Sequence, residues 1–459
     1  MRPADVDPRT LTLLEAPILP TLLRLAIPNV VTTTIQGSIG LIDIYFMAKL
    51  GTDAVAGVSL VFPGLMLMQM MSGGAMGGGI SSAVARALGA GRRDDAEAIV
   101  LHALVIGAIF AGFFCVAVVA GGPWLYSALG GSGATLDVAL TYSNIVFGGV
   151  ILIWSFNVLA NILRGTGNTA ITAVVTVAGA VLLVPLSPCL IFGYGPFPQL
   201  GVAGGAIALL SYYGLGTAIY AAYLWSGRSV VRPNLLGTRL RWPLFSDIFR
   251  VGAVASVISL MTNATIALTT ALVAAFGAAA IAGYGVGTRL EYMLVPLSFG
   301  FGGALVALVG TNIGAGQRER ALRAAWIGGW VSLALTEAIG VSAALFPAAW
   351  LSLFVSDPAV IEAGSTYLRT VGPFYGFFGL GMALYFASQG AGTLRWPLLA
   401  GFLRMVVAVG AGWLVLKWTG SLTAVFLTLG LALALFGTMI AAAVARGVWF
   451  PDRNVRQQP

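Results

Sequence analysis

Twelve apolar runs, separated by short turns rich in Gly, Pro or Arg, fill almost the whole chain: residues 23–48, 54–85, 96–120, 137–163, 169–193, 201–226, 248–275, 279–312, 321–346, 361–388, 396–418 and 422–445. A helix needs roughly 20 apolar residues to cross about 30 Å of hydrocarbon. Backbone groups in lipid must also satisfy one another, which restricts such runs to helices. A water-soluble globule is excluded, because 58% of the residues are hydrophobic, 9% are charged and mean hydropathy is +0.94, whereas soluble domains carry about 25% charged residues.

The pattern repeats at half length. Leu50-Gly51-Thr52-Asp53-Ala54-Val55-Ala56-Gly57 reappears as Phe276-Gly277-Ala278-Ala279-Ala280-Ile281-Ala282-Gly283, a shift of 226 residues. Leu88-Gly89-Ala90-Gly91-Arg92-Arg93 reappears as Ile313-Gly314-Ala315-Gly316-Gln317-Arg318, a shift of 225 that persists through Tyr142 against Tyr367 and Gly165-Thr166-Gly167 against Gly390-Ala391-Gly392. The expected fold is therefore an all-α integral membrane protein of twelve transmembrane helices in two homologous six-helix lobes. Because six is even, both copies enter from the same side, and a pseudo-twofold along the membrane normal should relate them. The boundaries follow as a tail at 1–22, lobes at 23–226 and 246–446, a linker at 227–245 and a tail at 447–459. The linker carries Arg228, Arg232, Pro233, Arg239, Arg241 and Pro243 and is the natural hinge region between lobes.

Charge sets the orientation. Arg9, Arg24, Arg86, Arg92, Arg93, Arg164, Arg228, Arg318, Arg320, Arg323, Arg395 and Arg446 all belong to ends or loops of one side, whereas Lys49, Arg369 and Lys417 belong to the other. The excess of Arg places both termini in the cytoplasm. The net charge of +8 then reports topology and contact with membrane lipid headgroups, and with no soluble basic domain the chain is not expected to bind nucleic acid. No removable signal peptide is apparent, so the first span acts as the membrane address. Cys115 and Cys189 are isolated in apolar runs, with only His102 to accompany them, which supports neither a metal site nor a disulfide framework. The glycines of 73–79 lack a following Lys-Ser/Thr and lie within a span, so they suit close helix packing rather than a phosphate cradle.

Ionisable residues inside the spans are the sharper signal, since intramembrane charge is costly and points to function. Asp43, Arg289, Glu291, Glu337 and Arg404 qualify. Asp43 ranks first: on a helix it shares a face with Gln36 and Thr32, and a carboxyl in so apolar a surround is a candidate to bind and release a proton near neutral pH. The alternative is a buried acid held by structural hydrogen bonds. Glu291, two residues from Arg289, is either a coupling acid or half of a local structural anchor. Glu337 has no obvious partner in the sequence. Asn157, Asn161 and Arg164 form one polar face on the fourth span, suited to binding or to packing.

Ile42-Asp43-Ile44, the duplicated Gly-rich turns and Arg164-Gly165-Thr166-Gly167-Asn168 together resemble the multidrug and toxic compound extrusion (MATE) family over essentially the whole chain. The resemblance implies a V-shaped alternating-access cycle and export of organic, often cationic compounds against inward protons or sodium. Its sodium-coupled, NorM-like branch carries a Glu on the seventh span and an Asp on the tenth. Here the seventh offers Ser259, Thr262, Asn263 and Thr269, and the tenth Tyr375, Tyr385 and Gln389. Thr288-Arg289-Leu290-Glu291 is closer to the proton-coupled, DinF-like branch, although Leu183 and Ser187 stand where that branch often has Asn and Asp. The resulting expectation is a secondary active multidrug antiporter with no cofactor, a proton rather than sodium as coupling ion, and small-molecule drugs or organic cations as partners. It would function as a monomer in a bacterial cytoplasmic (inner) membrane. The alternative is a flippase for lipid-linked oligosaccharides or lipids, from the same broader superfamily. An enzyme is not expected, since there is no histidine cluster, carboxylate pair or nucleophile motif.

At the 226-residue shift Asp43 aligns with Thr269 and Gln36 with Thr262. This places the proton switch in the N-terminal lobe. Asp43→Asn is expected to abolish transport without unfolding the protein, and unchanged drug resistance in cells carrying that variant would overturn the assignment.

Overall fold

The computed structural model describes residues 7–234 and 237–450; the side chains of Leu41, Asp43 and Tyr292 lie outside that description. The spans are α1 (Ile18–Ala48), α2 (Thr52–Gly89), α3 (Arg93–Ala128), α4 (Gly133–Gly148 with Val150–Gly165), α5 (Thr169–Phe192), α6 (Val202–Trp225), α7 (Trp242–Ala274), α8 (Ala278–Gly314), α9 (Arg318–Leu345), α10 (Pro358–Gly390), α11 (Arg395–Thr419) and α12 (Leu422–Ala445). Among the described residues there is no strand. The fourth run is not one straight helix: its halves bend by 48° at Gly148-Gly149, where no side chain resists the break. Two spans widen locally to π-helix, α2 over Met70–Ala75 and α11 over Val406–Ala411.

The duplication is visible in the packing. A β-carbon on Gly165 would lie 2.6 Å from Ser81 O, and one on Gly390 would lie 2.7 Å from Val306 O. Ser81 and Val306 are counterparts at the 225-residue shift, so α4 crosses α2 as α10 crosses α8. Between lobes the relation becomes reciprocal. The backbone at Gly89 presses on that of Thr311, and the backbone at Gly314 on that of Arg86. Arg86 and Thr311 are themselves counterparts, which is the signature of a twofold contact.

These contacts lie at the end of the molecule that carries the arginines. There Arg86 pairs with Asp247 at 2.8 Å and donates to Gly390 O at 3.2 Å, while Ser82 Oγ donates to Gln389 O at 2.5 Å. Toward the opposite end the lobes part, and residues Thr52–Gln69 of α2 pack within their own lobe on α1, α3 and α4. The cleft between the lobes is consequently closed at the arginine-rich end.

A short helix, Pro8–Glu15, fastens that end. Asp7 caps it by accepting the Arg9 N–H at 2.9 Å. Its Arg9 donates to Tyr223 Oη at 3.2 Å in the N-terminal lobe. Its Leu13, 3% exposed, lies against Gly167, while Leu13 O accepts from Asn312 Nδ2 of α8 at 3.1 Å and Ala16 O accepts from Arg320 of α9. The linker is tied to the N-terminal lobe as well: His102 Nε2 on α3 accepts the Arg241 N–H at 2.8 Å, and Asp95 pairs with Arg241 at 2.7 Å.

α10 is interrupted by a 3-10 turn at Gly372–Phe374 and resumes at Tyr375. Pro373 has no N–H to donate, and the restarted helix presents unsatisfied N–H groups. Glu337 of α9 supplies the acceptor, taking the Gly376 N–H at 2.6 Å. The acid that has no evident partner in the sequence therefore caps a broken helix across a helix interface.

Gly89→Val should push the lobe ends apart, costing about 1–3 kcal/mol; a lower melting temperature and labelling of a cysteine placed at Thr311 would report it. Glu337→Ala should cost a similar ~1–3 kcal/mol by leaving the Gly376 N–H unsatisfied, with Glu337→Gln intermediate in thermal unfolding.

Candidate functional site

Glu291 of α8 faces α10 inside the C-terminal lobe. Tyr367 Oη donates to Glu291 Oε1, and Tyr375 Oη lies 3.4 Å from the same oxygen. Both tyrosines are 1% exposed. Tyr367 meets Tyr284 edge-on with centroids 5.1 Å apart and Phe426 at 5.2 Å; the hydroxyl of Tyr284 lies 3.2 Å from Thr269 Oγ1 of α7. Arg404 of α11 contributes a cationic field at Glu291, with its guanidinium set over Phe378 at 5.9 Å and Phe436 at 5.5 Å. Arg289 is not the partner of Glu291. Two residues along a helix turn a side chain to another face, and Arg289 lies over Phe354 at 5.4 Å instead.

A charge-bearing cluster is thus built in the lobe opposite to the one the aligned acids suggest. At the 225–226-residue shifts the counterparts of Glu291, Tyr367, Tyr375 and Arg404 are Leu65, Tyr142, Val150 and Gly179. One tyrosine is shared, and the acid and the arginine belong to the second copy alone. Asp43 is on α1, but its side chain lies outside the described residues.

The second polar group surrounds α4. Asn157 Nδ2 donates to Gln69 Oε1 at 3.1 Å and to Ser72 Oγ at 2.9 Å, and Gln69 donates in turn to Tyr213. Asn161 Nδ2 donates to Gly73 O at 3.2 Å. Gly73 lies in the π-helical turn of α2, where the altered ladder leaves a carbonyl free for a side chain. Arg164 Nη1 reaches Asn161 Oδ1 at 3.5 Å. Gln69, Ser72 and Tyr213 escape the sequence reading, although a Gln beside Met68, Met70 and Met71 in an apolar run was a signal available to it.

Where the lobes meet, a small cavity of about 50 Å³ is lined by Asn29 and Thr33 of α1, Asn161 and Arg164 of α4, Phe299 of α8, and Phe386 and Gln389 of α10. Gln389 is fully buried. The structure therefore brings Asn161 and Gln389 together at this cavity, and Glu291, Tyr375 and Thr269 together in the C-terminal lobe. Asn157 belongs to the α4 network but does not line the cavity. Thr262 and Asn263 are in neither group: Thr262 donates to Ile258 O at 3.0 Å, and Asn263 reaches across the cleft to Met70 Sδ at 3.3 Å. Gln36 is half-buried on α1, apart from both.

The MatE family model matches this chain twice, over residues 28–189 and 255–414, once in each lobe. An FAD transporter of Shewanella oneidensis is 30% identical over 381 residues, covering 82% of each chain. A probable multidrug resistance protein NorM of Thermotoga maritima is 26% identical over 84% of this chain and 83% of its own. Among solved structures, a MATE transporter in the bent conformation superposes with a TM-score of 0.89 at 22% identity, covering 97% of this chain and 98% of that one. An outward-facing MATE family transporter of the MOP superfamily gives 0.86 at 22% identity over 96% and 98%. The twofold match of the family model, over a fold of two six-helix lobes, establishes that this multi-pass membrane protein belongs to the MATE family of transporters.

Proposed function

We propose that this protein is a secondary active exporter of small organic solutes that alternates access between its lobes and draws its energy from inward proton flow. The observation that carries the reading is the lodging of Glu291. Its carboxyl is enclosed by two tyrosine hydroxyls and makes no ion pair among the described residues. Tyr367 precedes the interruption of α10 and Tyr375 follows it, so the ionised carboxylate draws both segments toward α8. Protonation removes charge from that acceptor and weakens its hydrogen bonds. The break in α10 is then free to change its bend, which is how a local proton event biases a lobe. Asp43 on α1 is a second acid of the same path, in the other lobe.

Sidedness follows from the arginines: the closed end faces the cytoplasm, and the cleft opens outward to release solute. One proton moving inward down 100 mV supplies about 2.3 kcal/mol, enough for a concentration ratio of about fiftyfold. The names of the relatives span two solute chemistries, multidrug resistance and FAD transport, so family alone leaves the charge of the solute open.

The test is reconstitution into liposomes with a panel of cationic, zwitterionic and anionic fluorescent solutes. An imposed pH gradient should move at least one of them. Glu291→Gln and Asp43→Asn should each abolish that movement, with melting temperatures showing that both remain folded. Transport driven by a sodium gradient at matched pH, or retained in full by both variants, would overturn proton coupling.

A further inference from the structure

Each lobe is led in by a segment that reaches across to the other. The short helix Pro8–Glu15 and Ala16 precede α1 in the N-terminal lobe, yet Ala16 O accepts from Arg320 of α9 in the C-terminal lobe. The linker runs into α7 of the C-terminal lobe at Arg241, yet Arg241 pairs with Asp95 of α3 in the N-terminal lobe at 2.7 Å. Ala16 and Arg241 are counterparts at the 225-residue shift, and so are Arg320 and Asp95. The two crossings are therefore one clasp built twice, in the same reciprocal relation as the contacts of Gly89 and Gly314. Parting the lobes at this end strains both.

The linker clasp alone includes a histidine. His102, the single histidine of the chain, is 0% exposed on α3, and its counterpart on α9 is Ile327. His102 Nδ1 lies 2.8 Å from Ala98 O, and Nε2 lies 2.8 Å from the backbone N of Arg241. Both partners have fixed roles. A carbonyl only accepts, so Nδ1 carries the hydrogen; a backbone N–H only donates, so Nε2 offers its lone pair. The imidazole is thus held as the neutral Nδ1–H tautomer. A second proton can go only to Nε2, where it sets a donor against a donor and leaves the N–H at the head of α7 without its acceptor. Phe245, one turn into α7, packs on the same imidazole with centroids 4.6 Å apart, so the ring is the seat of both the linker and the start of α7.

The charged groups around this seat are engaged elsewhere. Asp95, on the same helix as His102, is paired with Arg92 and Arg241, and Glu97 with Arg93; Asp247 of α7 is paired with Arg86 of α2; Arg164 of α4 reaches toward Asn161. Among the described residues none of these side chains bonds to the imidazole.

We propose that His102 is a proton-sensitive clasp at the cytoplasmic end: neutral, it holds the inter-lobe linker and the start of α7 to the N-terminal lobe, and protonated, it releases them and favours opening of that end. Because the hydrogen bond needs the neutral ring, the clasp is closed at higher pH and lets go as pH falls through the range in which imidazole takes a proton. It ties the position of the lobes to the acidity of the compartment into which the protons flow. The inference rests on the reading of alternating access and not on which acid couples the transported proton.

Hydrogen–deuterium exchange of the full-length protein in lipid nanodiscs reads the clasp, over peptides that carry Arg241 and with the pH dependence of chemical exchange divided out. Between about pH 7.5 and about pH 5.5, on either side of the ordinary imidazole range, the Arg241 amide should lose about tenfold in protection. His102→Gln, whose side-chain oxygen accepts the same N–H but takes no proton, should keep that amide protected at both pH values. His102→Phe, which removes the acceptor, should expose it at both; should that variant unfold, the Gln variant carries the test alone. Spin labels on Asp94→Cys and Glu319→Cys, counterpart positions exposed at the cytoplasmic end, report the gate in a Cys115→Ser, Cys189→Ser background. The longer separation should gain population at low pH with His102 in place, in Glu291→Gln as well, and not in His102→Gln. Equal protection of Arg241 at the two pH values, or a separation that still responds to pH in His102→Gln, would overturn the clasp. A clasp that responds as described in a protein that moves no solute along a pH gradient would count against the export reading alone.

Discussion

The close crossing of α2 and α8 at the arginine-rich end depends on Gly89 and Gly314, because any larger residue would place a β-carbon against a backbone carbonyl of the facing helix. Around that crossing the remaining contacts assemble: the Arg86–Asp247 pair, the Ser82 hydroxyl on Gln389 O, and the short helix Pro8–Glu15 laid over both lobes. The cleft above and the cavity below its floor exist because the lobes are held together at one end and not at the other. In lipid there is little hydrophobic drive between apolar helices, so close approach through small residues does the work that burial does in water.

Within each lobe the backbone is built alike, yet the polar chemistry is distributed unevenly. The N-terminal lobe has neutral amides, Asn157, Asn161 and Gln69, tied to a π-helical turn of α2. The C-terminal lobe has two carboxylates well inside its spans whose side chains are described, and both grip α10 at its interruption: Glu337 through the Gly376 N–H and Glu291 through tyrosines on either side of the break. One carboxylate bonds to backbone and the other to hydroxyls. That difference separates a cap, which holds the helix in place, from a group that can change charge without unfolding the helix end.

Much of this architecture is legible in the residues. The lengths of the apolar runs and the 225–226-residue register depend on local hydrophobicity and turn chemistry, and they predict the twelve spans and the two lobes. The bend of α4 is missed because Gly148-Gly149 lies inside an unbroken apolar run. Glu337 looks solitary because its partner is a backbone N–H 39 residues away, and backbone donors freed by a helix break leave no mark in composition. Arg289 and Glu291, two residues apart, fall on different helix faces already in the sequence, but the seat of Arg289 over Phe354 is a contact between segments that spacing does not record.

The sequence by itself determined the solvent, the number of spans, the duplication and the short set of intramembrane ionisable residues, because each of these follows from side-chain polarity and its spacing along one chain. Only the tertiary structure decided which of those residues meet. Glu291 with Tyr367 and Tyr375, and Asn157 with Gln69 and Ser72, join spans that are far apart in the chain, and no periodicity records a contact between helices. The physical reason is that a buried polar atom is defined by the atoms facing it, and these come from elsewhere in the fold.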